Sequence, residues 1–275
     1  MSKFYARLGV TTPFDPSHTY TTSWLLPPLL LALIRSLFSL YAFCTIFTIF
    51  GYYDSHGEAI DNRQWFSYFT NLTYVGLAFY FLFSAIHTWS YWRTGKALLQ
   101  SWPRPLQALH AVFYTTIVTY PFLVTIVYWG VLYKAPWFPV VEDAWSNVSK
   151  HAINSAWALF EVLLTCTSPR PPLHMLFIII LLALYLGLAY LTKATEGFYV
   201  YSFLDPSTGV NHVVAYCIGI PVAACVIFGI VWVILWLRNK ATKNMTKYTH
   251  ELSEKPDGSV GETYGEVVEM REEMK

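Results

Sequence analysis

Thr70 and His151 lie in two separate apolar segments, and together they carry the chemistry of a nucleophile and its base. An imidazole can accept the hydroxyl proton while the threonine oxygen attacks a carbonyl. If both segments are helices that enter a membrane from the same side, Thr70 lies roughly 7.5 Å past Trp65 and His151 roughly 10 Å past Ala144. The spacing therefore predicts that the two side chains lie at nearly the same depth in one leaflet.

Amide and hydroxyl side chains accompany both residues. Asn154 and Ser155 follow His151 by three and four positions, so in a helix they would lie on the same face as His151. Asn71 directly follows Thr70. An amide at such a position could orient the imidazole or donate to an oxyanion. The alternative is ordinary hydrogen bonding between membrane helices, at about 0.6–2 kcal/mol per group, and spacing alone favours this alternative.

Two charged residues lie deeper in their apolar segments. Arg35 lies roughly 16 Å from the segment end at Trp24, and Glu161 lies roughly 9 Å from the segment end at Thr167. Ionisable groups at such depths are costly and usually pair with one another or belong to a functional site. Because only one such pair is available, we predict a structural ion pair rather than a transport site.

No metal and no organic cofactor is predicted. All four cysteines fall inside apolar runs, and none has the spacing of a metal-binding knuckle or a redox pair. No second histidine stands at ligand spacing from His151, and no Gly-rich nucleotide loop is present. A net charge of +1 gives no reason to expect a nucleic-acid partner.

The composition predicts an all-α, polytopic membrane protein. Apolar residues make up 55% of the 275 residues and charged residues only 13%, about half the charge of a typical soluble domain. Six segments contain the roughly 20 mostly apolar residues that a span requires. They are Trp24–Phe50, Trp65–Trp89, Leu109–Tyr133, Ala144–Thr167, Leu173–Leu191 and Val213–Leu237.

The positions of lysine and arginine predict the orientation, because these residues accumulate on the cytoplasmic side. With both termini cytoplasmic, that side holds ten of them near the spans and the opposite side holds four. The expected organisation is a cytoplasmic segment 1–23 without a cleaved signal peptide, a membrane domain 24–237 and a charged cytoplasmic tail 238–275. The tail is expected to be disordered from about Glu251.

Three segments resemble the family of androgen-induced and androgen-dependent TFPI-regulating membrane proteins. They are Trp65-Phe-Ser-Tyr-Phe-Thr-Asn-Leu-Thr73, the helix Asn147 to Glu161 with its Asn…His…Glu spacing, and the loop Gly197-Phe-Tyr-Val-Tyr-Ser-Phe-Leu-Asp205. The similarity covers about Trp65 to Leu237. The Tyr-Phe-Thr-Asn-Leu-Thr and His-x-x-Asn-Ser patterns also resemble the rolling stone family, which is implicated in cell fusion, and Ser202 replaces a proline of the hydrolases.

The first resemblance implies a six-span threonine hydrolase that cleaves fatty acid esters of hydroxy fatty acids, with Thr70 as nucleophile and His151 as base. Asn71 and Asn154 would support this pair. The expected partners are the bilayer and a lipid ester, in the endoplasmic reticulum or the plasma membrane. The second resemblance implies a non-catalytic membrane protein in fusion, adhesion or scaffolding.

Overall fold

The structure of the chain, a computed structural model, describes residues 2–245. Within these residues no β-strand forms, and one isolated bridge pairs Ser23 with Thr165. The predicted disordered tail from Glu251 lies outside the described residues. The α-helices are α1 (Ser2–Arg7), α2 (Pro28–Ser55), α3 (Ala59–Gln64), α4 (Phe69–Thr94), α5 (Arg104–Ile117), α6 (Tyr120–Val127), α7 (Val141–Val148), α8 (Asn154–Leu164), α9 (Leu173–Glu196) and α10 (Val210–Ala241).

Five helical segments are long and apolar enough to cross a membrane, so the chain is a multi-pass integral membrane protein. Every predicted span except the fourth overlaps one of them, with ends that differ by at most five residues. Large apolar side chains on the outer faces of α9 and α10 are exposed, as lipid contact requires. The five segments are Pro28–Ser55, Phe69–Thr94, Arg104–Leu132, Leu173–Glu196 and Val210–Ala241.

The fourth predicted span is helical but does not qualify by composition. Helix α7, a π-helical turn at Ser149–Ile153 and α8 form one continuous helix from Val141 to Leu164. Its polar side chains lower its mean hydropathy, and those of Lys150, His151, Asn154 and Glu161 are all buried. The helix therefore owes its polarity to groups that face protein rather than lipid.

The third predicted span is a broken helix. Helix α5 ends at Ile117 and α6 begins at Tyr120, with Pro121 in the first turn of α6. Proline lacks the N–H that would continue the preceding helix, so a break just before it is expected. Beyond α6 the chain makes a second π-helical turn at Tyr128–Leu132. Wide turns of this kind are rare and often occur at functional sites.

The described part of the predicted N-terminal segment, residues 1–23, packs against the end of the helical bundle. The Cys166 amide donates to the Thr22 carbonyl at 2.9 Å, which fixes the segment beside the end of α8. Burial of its apolar side chains drives this packing. Those side chains are Leu8, Val10, Phe14 and Tyr20.

The C-terminal end of α8 is closed by side chains from three parts of the chain. A helix leaves its last four carbonyl oxygens without helical partners. Here hydroxyl, indole and guanidinium donors bind all four. The donor–carbonyl pairs are Thr165 to Glu161, Arg238 to Val162, Trp24 to Leu163 and Ser23 to Leu164.

Helix α10 ends later than the predicted span. Arg238 was predicted to begin the tail, but α10 continues past it to Ala241. The Arg238 guanidinium is buried against α8, which holds this last turn of α10 to the bundle.

Arg35 and Glu161 form a bidentate ion pair in the interior of the bundle. Both bonds, from Nε to Oε1 and from Nη2 to Oε2, measure 2.8 Å, and both side chains are 0% exposed. The remaining guanidinium nitrogen donates to the Tyr20 carbonyl at 2.8 Å and the Thr88 hydroxyl at 2.7 Å. The Tyr80 hydroxyl donates to Glu161 at 3.3 Å. One charge pair thus connects α2, α4, α8 and the N-terminal segment.

We expect Glu161→Leu to lower the free energy of unfolding by about 3–5 kcal/mol, because it leaves the Arg35 guanidinium buried without its counter-charge. The double variant Arg35→Leu/Glu161→Leu should lose less, since it buries no unpaired charge. Unfolding of the detergent-purified protein measures both.

The exposed ion pair between Arg63 and Glu196, at 2.6 Å, provides the control. Because solvent screens it, Arg63→Ala should cost at most about 1 kcal/mol. Equal losses in the single and double variants of the buried pair would contradict the prediction.

Candidate functional site

A cavity of about 300 Å³ lies between α4, α6, α9 and α10 and the loop that precedes α10. Its wall is apolar apart from Thr70, four tyrosines and Cys217, and no charged side chain contributes to it. Pro221 of α10 also lines the cavity and, having no N–H, leaves the Cys217 carbonyl without its helical donor. The tyrosines are Tyr128, Tyr185, Tyr201 and Tyr216.

Thr70 reaches this cavity because α4 begins one residue earlier. Tyr68 is extended, with φ −92° and ψ 131°, and the helix starts at Phe69. The Phe69 and Thr70 side chains both line the cavity. The Phe69 amide, which has no partner within the helix, donates to the Tyr201 hydroxyl at 3.2 Å. The same hydroxyl lies within hydrogen-bonding range of Thr70.

His151 lies in the π-helical turn at Ser149–Ile153 and is 5% exposed. Its Nδ1 is 2.9 Å from the Asn147 carbonyl oxygen, which can only accept, so Nδ1 carries the hydrogen. Nε2 is then the basic nitrogen, and no described hydrogen bond engages it. The imidazole stacks on the Tyr128 ring with centroids 3.5 Å apart at 12°. A general base with one defined basic nitrogen is therefore available.

Within residues 2–245 no hydrogen bond joins the side chains of Thr70 and His151. Thr70 and Tyr128 line the same cavity, and His151, which does not line it, stacks on the Tyr128 ring. Helix α4 and the π-helical turn of His151 pack together. Tyr128 is therefore the residue through which His151 is connected to the cavity wall.

The two supporting asparagines make other contacts. The Asn71 amide donates to the Trp65 carbonyl at 2.8 Å and closes the start of α4. The Asn154 oxygen accepts from the Thr125 hydroxyl at 3.2 Å and the Ser155 amide at 2.7 Å. The Asn154 bond to Thr125 joins α8 to α6, and the Asn71 bond joins α4 to the 3₁₀ turn at Trp65–Ser67 that precedes it. In this structure neither asparagine side chain is hydrogen-bonded to Thr70 or His151.

A hydroxyl–imidazole pair that sequence reasoning missed joins Thr115 of α5 to His174 of α9. The Thr115 oxygen is 2.6 Å from His174 Nδ1, while Nε2 lies 3.2 Å from the Leu8 carbonyl oxygen. Nε2 therefore carries the hydrogen and Nδ1 accepts from the threonine. Both residues are 0% exposed, and neither lines the cavity. This pair has the geometry of a nucleophile and a base, but no access for a substrate.

Among the described residues no group of three or more histidine, cysteine, aspartate or glutamate side chains is arranged to hold a metal ion. The four cysteines are free, and Cys217 is the one that lines the cavity.

Comparisons with protein-family models, with curated proteins and with solved structures find no match to this chain. The resemblance carried by Thr70, His151 and the loop Gly197 to Asp205 therefore stays a prediction.

The two threonines should respond differently to removal of their hydroxyls. Thr115→Val should lower the free energy of unfolding by about 1–3 kcal/mol, because it leaves His174 Nδ1 buried without a donor. Thr70→Val, at the wall of a cavity, should cost less than about 1 kcal/mol. Thermal unfolding of the two purified variants measures the difference, and a larger loss for Thr70→Val would show that its hydroxyl is a structural element.

Proposed function

We propose that this protein is an intramembrane hydrolase of lipid esters, with Thr70 as the nucleophile and His151 as the base. One observation carries the proposal: Thr70 bears the one aliphatic hydroxyl in the wall of the apolar cavity. An ester carbonyl held in that cavity would lie beside an attacking oxygen in a largely apolar environment.

The lining of the cavity favours an uncharged acyl chain as the occupant. Its volume of about 300 Å³ lies at the lower end of the range for small-molecule sites. A carboxylate inside it would have no cationic partner, which would be costly in an apolar environment. A fatty acid ester of a hydroxy fatty acid would therefore bind with its acyl chain inside and its free carboxylate outside.

In the proposed reaction Thr70 Oγ attacks the ester carbonyl while His151 Nε2 takes the hydroxyl proton. The imidazolium then gives this proton to the departing alkoxide, which leaves the acyl group on Thr70. A water molecule, deprotonated by the same nitrogen, releases the fatty acid and restores the threonine. The Tyr128 ring must turn away for Nε2 to reach Thr70. Catalytic hydrogen bonds often form only in the substrate complex, so a separated pair in the free protein is compatible with this role.

A second candidate function is that of a non-catalytic membrane protein of the rolling stone type. It is favoured by the absence of a Thr70–His151 hydrogen bond in the described region and by the engagement of Asn71 and Asn154 in helix contacts. In this alternative the cavity would bind lipid without cleaving it.

We also propose that the helix Val141–Leu164 crosses the membrane as a sixth span, with both termini cytoplasmic. Its polar side chains are buried against other helices, so they add little to the cost of insertion. Six spans place the two chain ends on one side, and the ten-to-four charge bias selects the cytoplasmic side. The membrane would be that of the endoplasmic reticulum or the cell surface.

Thr70→Ala should abolish labelling by a fluorophosphonate probe and hydrolysis of long-chain esters, because it removes the attacking oxygen. Thr70→Ser should retain part of the activity. His151→Ala should lose as much as Thr70→Ala, and the double variant should lose no more, since a nucleophile and its base act as one unit.

Two controls separate this site from its neighbours. Cys217→Ala removes the other nucleophile in the cavity wall, and Thr73→Ala removes a nearby hydroxyl that donates to the Thr70 carbonyl at 2.9 Å. Both variants should keep most of the activity. A wild-type protein that is not labelled by the probe and does not hydrolyse long-chain esters would contradict the hydrolase proposal and leave the lipid-binding alternative.

Limited proteolysis of sealed, right-side-out microsomes tests the orientation. The protease should remove the tail after Lys247 and spare the loop from Asp54 to Arg63, because of these two segments the tail would face outward and the loop would face the lumen. The sequon at Asn147 should stay unglycosylated even though it would face the lumen, since its side chain is bound to the Asp143 carbonyl inside a helix. Protection of the tail would overturn the proposed orientation.

A further inference from the structure

The hydroxyl of Tyr201 lies at the start of α4, next to Thr70. It accepts the Phe69 amide hydrogen at 3.2 Å and lies within hydrogen-bonding range of the side chain and the backbone of Thr70. Tyr185 of α9 is its third neighbour. The Tyr185 hydroxyl donates its own hydrogen to the Ser67 carbonyl at 3.0 Å, so towards Tyr201 it can only accept.

The loop before α10 holds Tyr201 in this position by stacking. The Tyr201 and Phe203 rings are 5.0 Å apart at 11°, and the Phe203 and Tyr216 rings are 4.6 Å apart at 25°. The Tyr190 hydroxyl donates to the Leu204 carbonyl at 3.3 Å and ties the loop to α9. Aromatic side chains in such a stack have little rotational freedom, so the Tyr201 hydroxyl is fixed relative to α4.

A threonine inside a helix commonly directs its hydroxyl to a carbonyl oxygen of the preceding turn. Thr73, one turn further along α4, does so: its hydroxyl donates to the Thr70 carbonyl at 2.9 Å. A threonine hydroxyl bound in this way is held against its own helix. Thr70 is the second residue of α4 and has no turn of α4 before it, so the Tyr201 hydroxyl is its partner instead.

We infer that Tyr201 is the positioning residue of Thr70, holding its hydroxyl towards the cavity so that the oxygen can attack an ester carbonyl. This inference rests on the proposed hydrolase function. Tyr201 acts through Thr70 and takes no proton in the reaction. Burial raises the pKa of the Tyr201 phenol, so this group stays neutral at neutral pH and its hydrogen bonds persist there.

The test is Tyr201→Phe, which keeps the ring stack and removes the hydroxyl. We expect kcat for a long-chain ester to fall about 100-fold, as for a reacting group displaced by about 1 Å, with KM changed less than twofold. Tyr199→Phe is the matched control: it removes a tyrosine hydroxyl from the same loop at a position outside the cavity wall, and it should leave kcat and KM close to the wild-type values.

Two substitutions matched in shape keep the test decisive if Tyr201→Phe folds poorly. Incorporation of 4-aminophenylalanine at position 201 keeps a hydrogen-bonding group at the end of the ring, whereas 4-methylphenylalanine fills the same volume without one. The amino variant should retain a kcat within tenfold of the wild type, and the methyl variant should match Tyr201→Phe. A purely structural role predicts equal rates for the two.

The outcomes separate this inference from the function on which it rests. Unchanged kcat in Tyr201→Phe, or equal rates for the amino and methyl variants, overturns the role of Tyr201 while hydrolysis by Thr70 stands. A wild type without activity overturns the hydrolase proposal, and the role of Tyr201 falls with it. A selective loss of kcat in the phenylalanine and methyl variants supports both.

Discussion

The ion pair between Arg35 and Glu161 constrains the bundle more than any other described contact, because neither charge can be left alone in a dry interior. A carboxylate and a guanidinium at 0% exposure are stable only when their geometry satisfies both groups. Here the Arg35 guanidinium donates two hydrogen bonds to the Glu161 carboxylate. It donates two more to the Thr88 hydroxyl of α4 and to the Tyr20 carbonyl of the N-terminal segment. Any sliding of α8 along α2 would break several of these bonds together, so the pair fixes the depth of α8.

The position of His151 depends on this depth. His151 precedes Glu161 by ten residues, roughly 15 Å along a helix, and the π-helical turn lies around His151 itself. A π turn holds an extra residue, so it rotates the side chains before it relative to those after it. The ion pair and the closed end of α8 fix one end of this helix. The π turn at Ser149–Ile153 then directs the imidazole towards Tyr128. Tyr128 itself begins the other π turn, at Tyr128–Leu132.

Hydropathy was sufficient to predict five of the helices, because long apolar runs have no other stable form in a membrane. It also led to the pairing of Arg35 with Glu161, since two opposite charges at accessible depths have few alternatives. The packing of residues 8–20 was not predictable in the same way, because a short mixed segment carries no periodic signal. The Thr115–His174 pair was missed because neither residue belongs to the segments that carry the resemblance, and their contact depends on how α5 packs against α9. The contact of Tyr201 with α4 depends on the path of a loop, which the sequence pattern does not specify.

The chemistry of the interior divides into two regions, and this division bears on where a function can lie. Around Arg35 each of the three guanidinium nitrogens donates to an acceptor, and neither member of the pair is accessible. A transport site must bind and release its solute, which a closed network of this kind does not favour. The wall of the cavity has the opposite character. It combines a large apolar area with the side chains of Thr70 and Cys217, and no charged side chain contributes to it. A bound molecule needs open volume and polar groups that are not already part of a closed network, so the cavity at the start of α4, and not the ion pair, is the region to which we assign the proposed function.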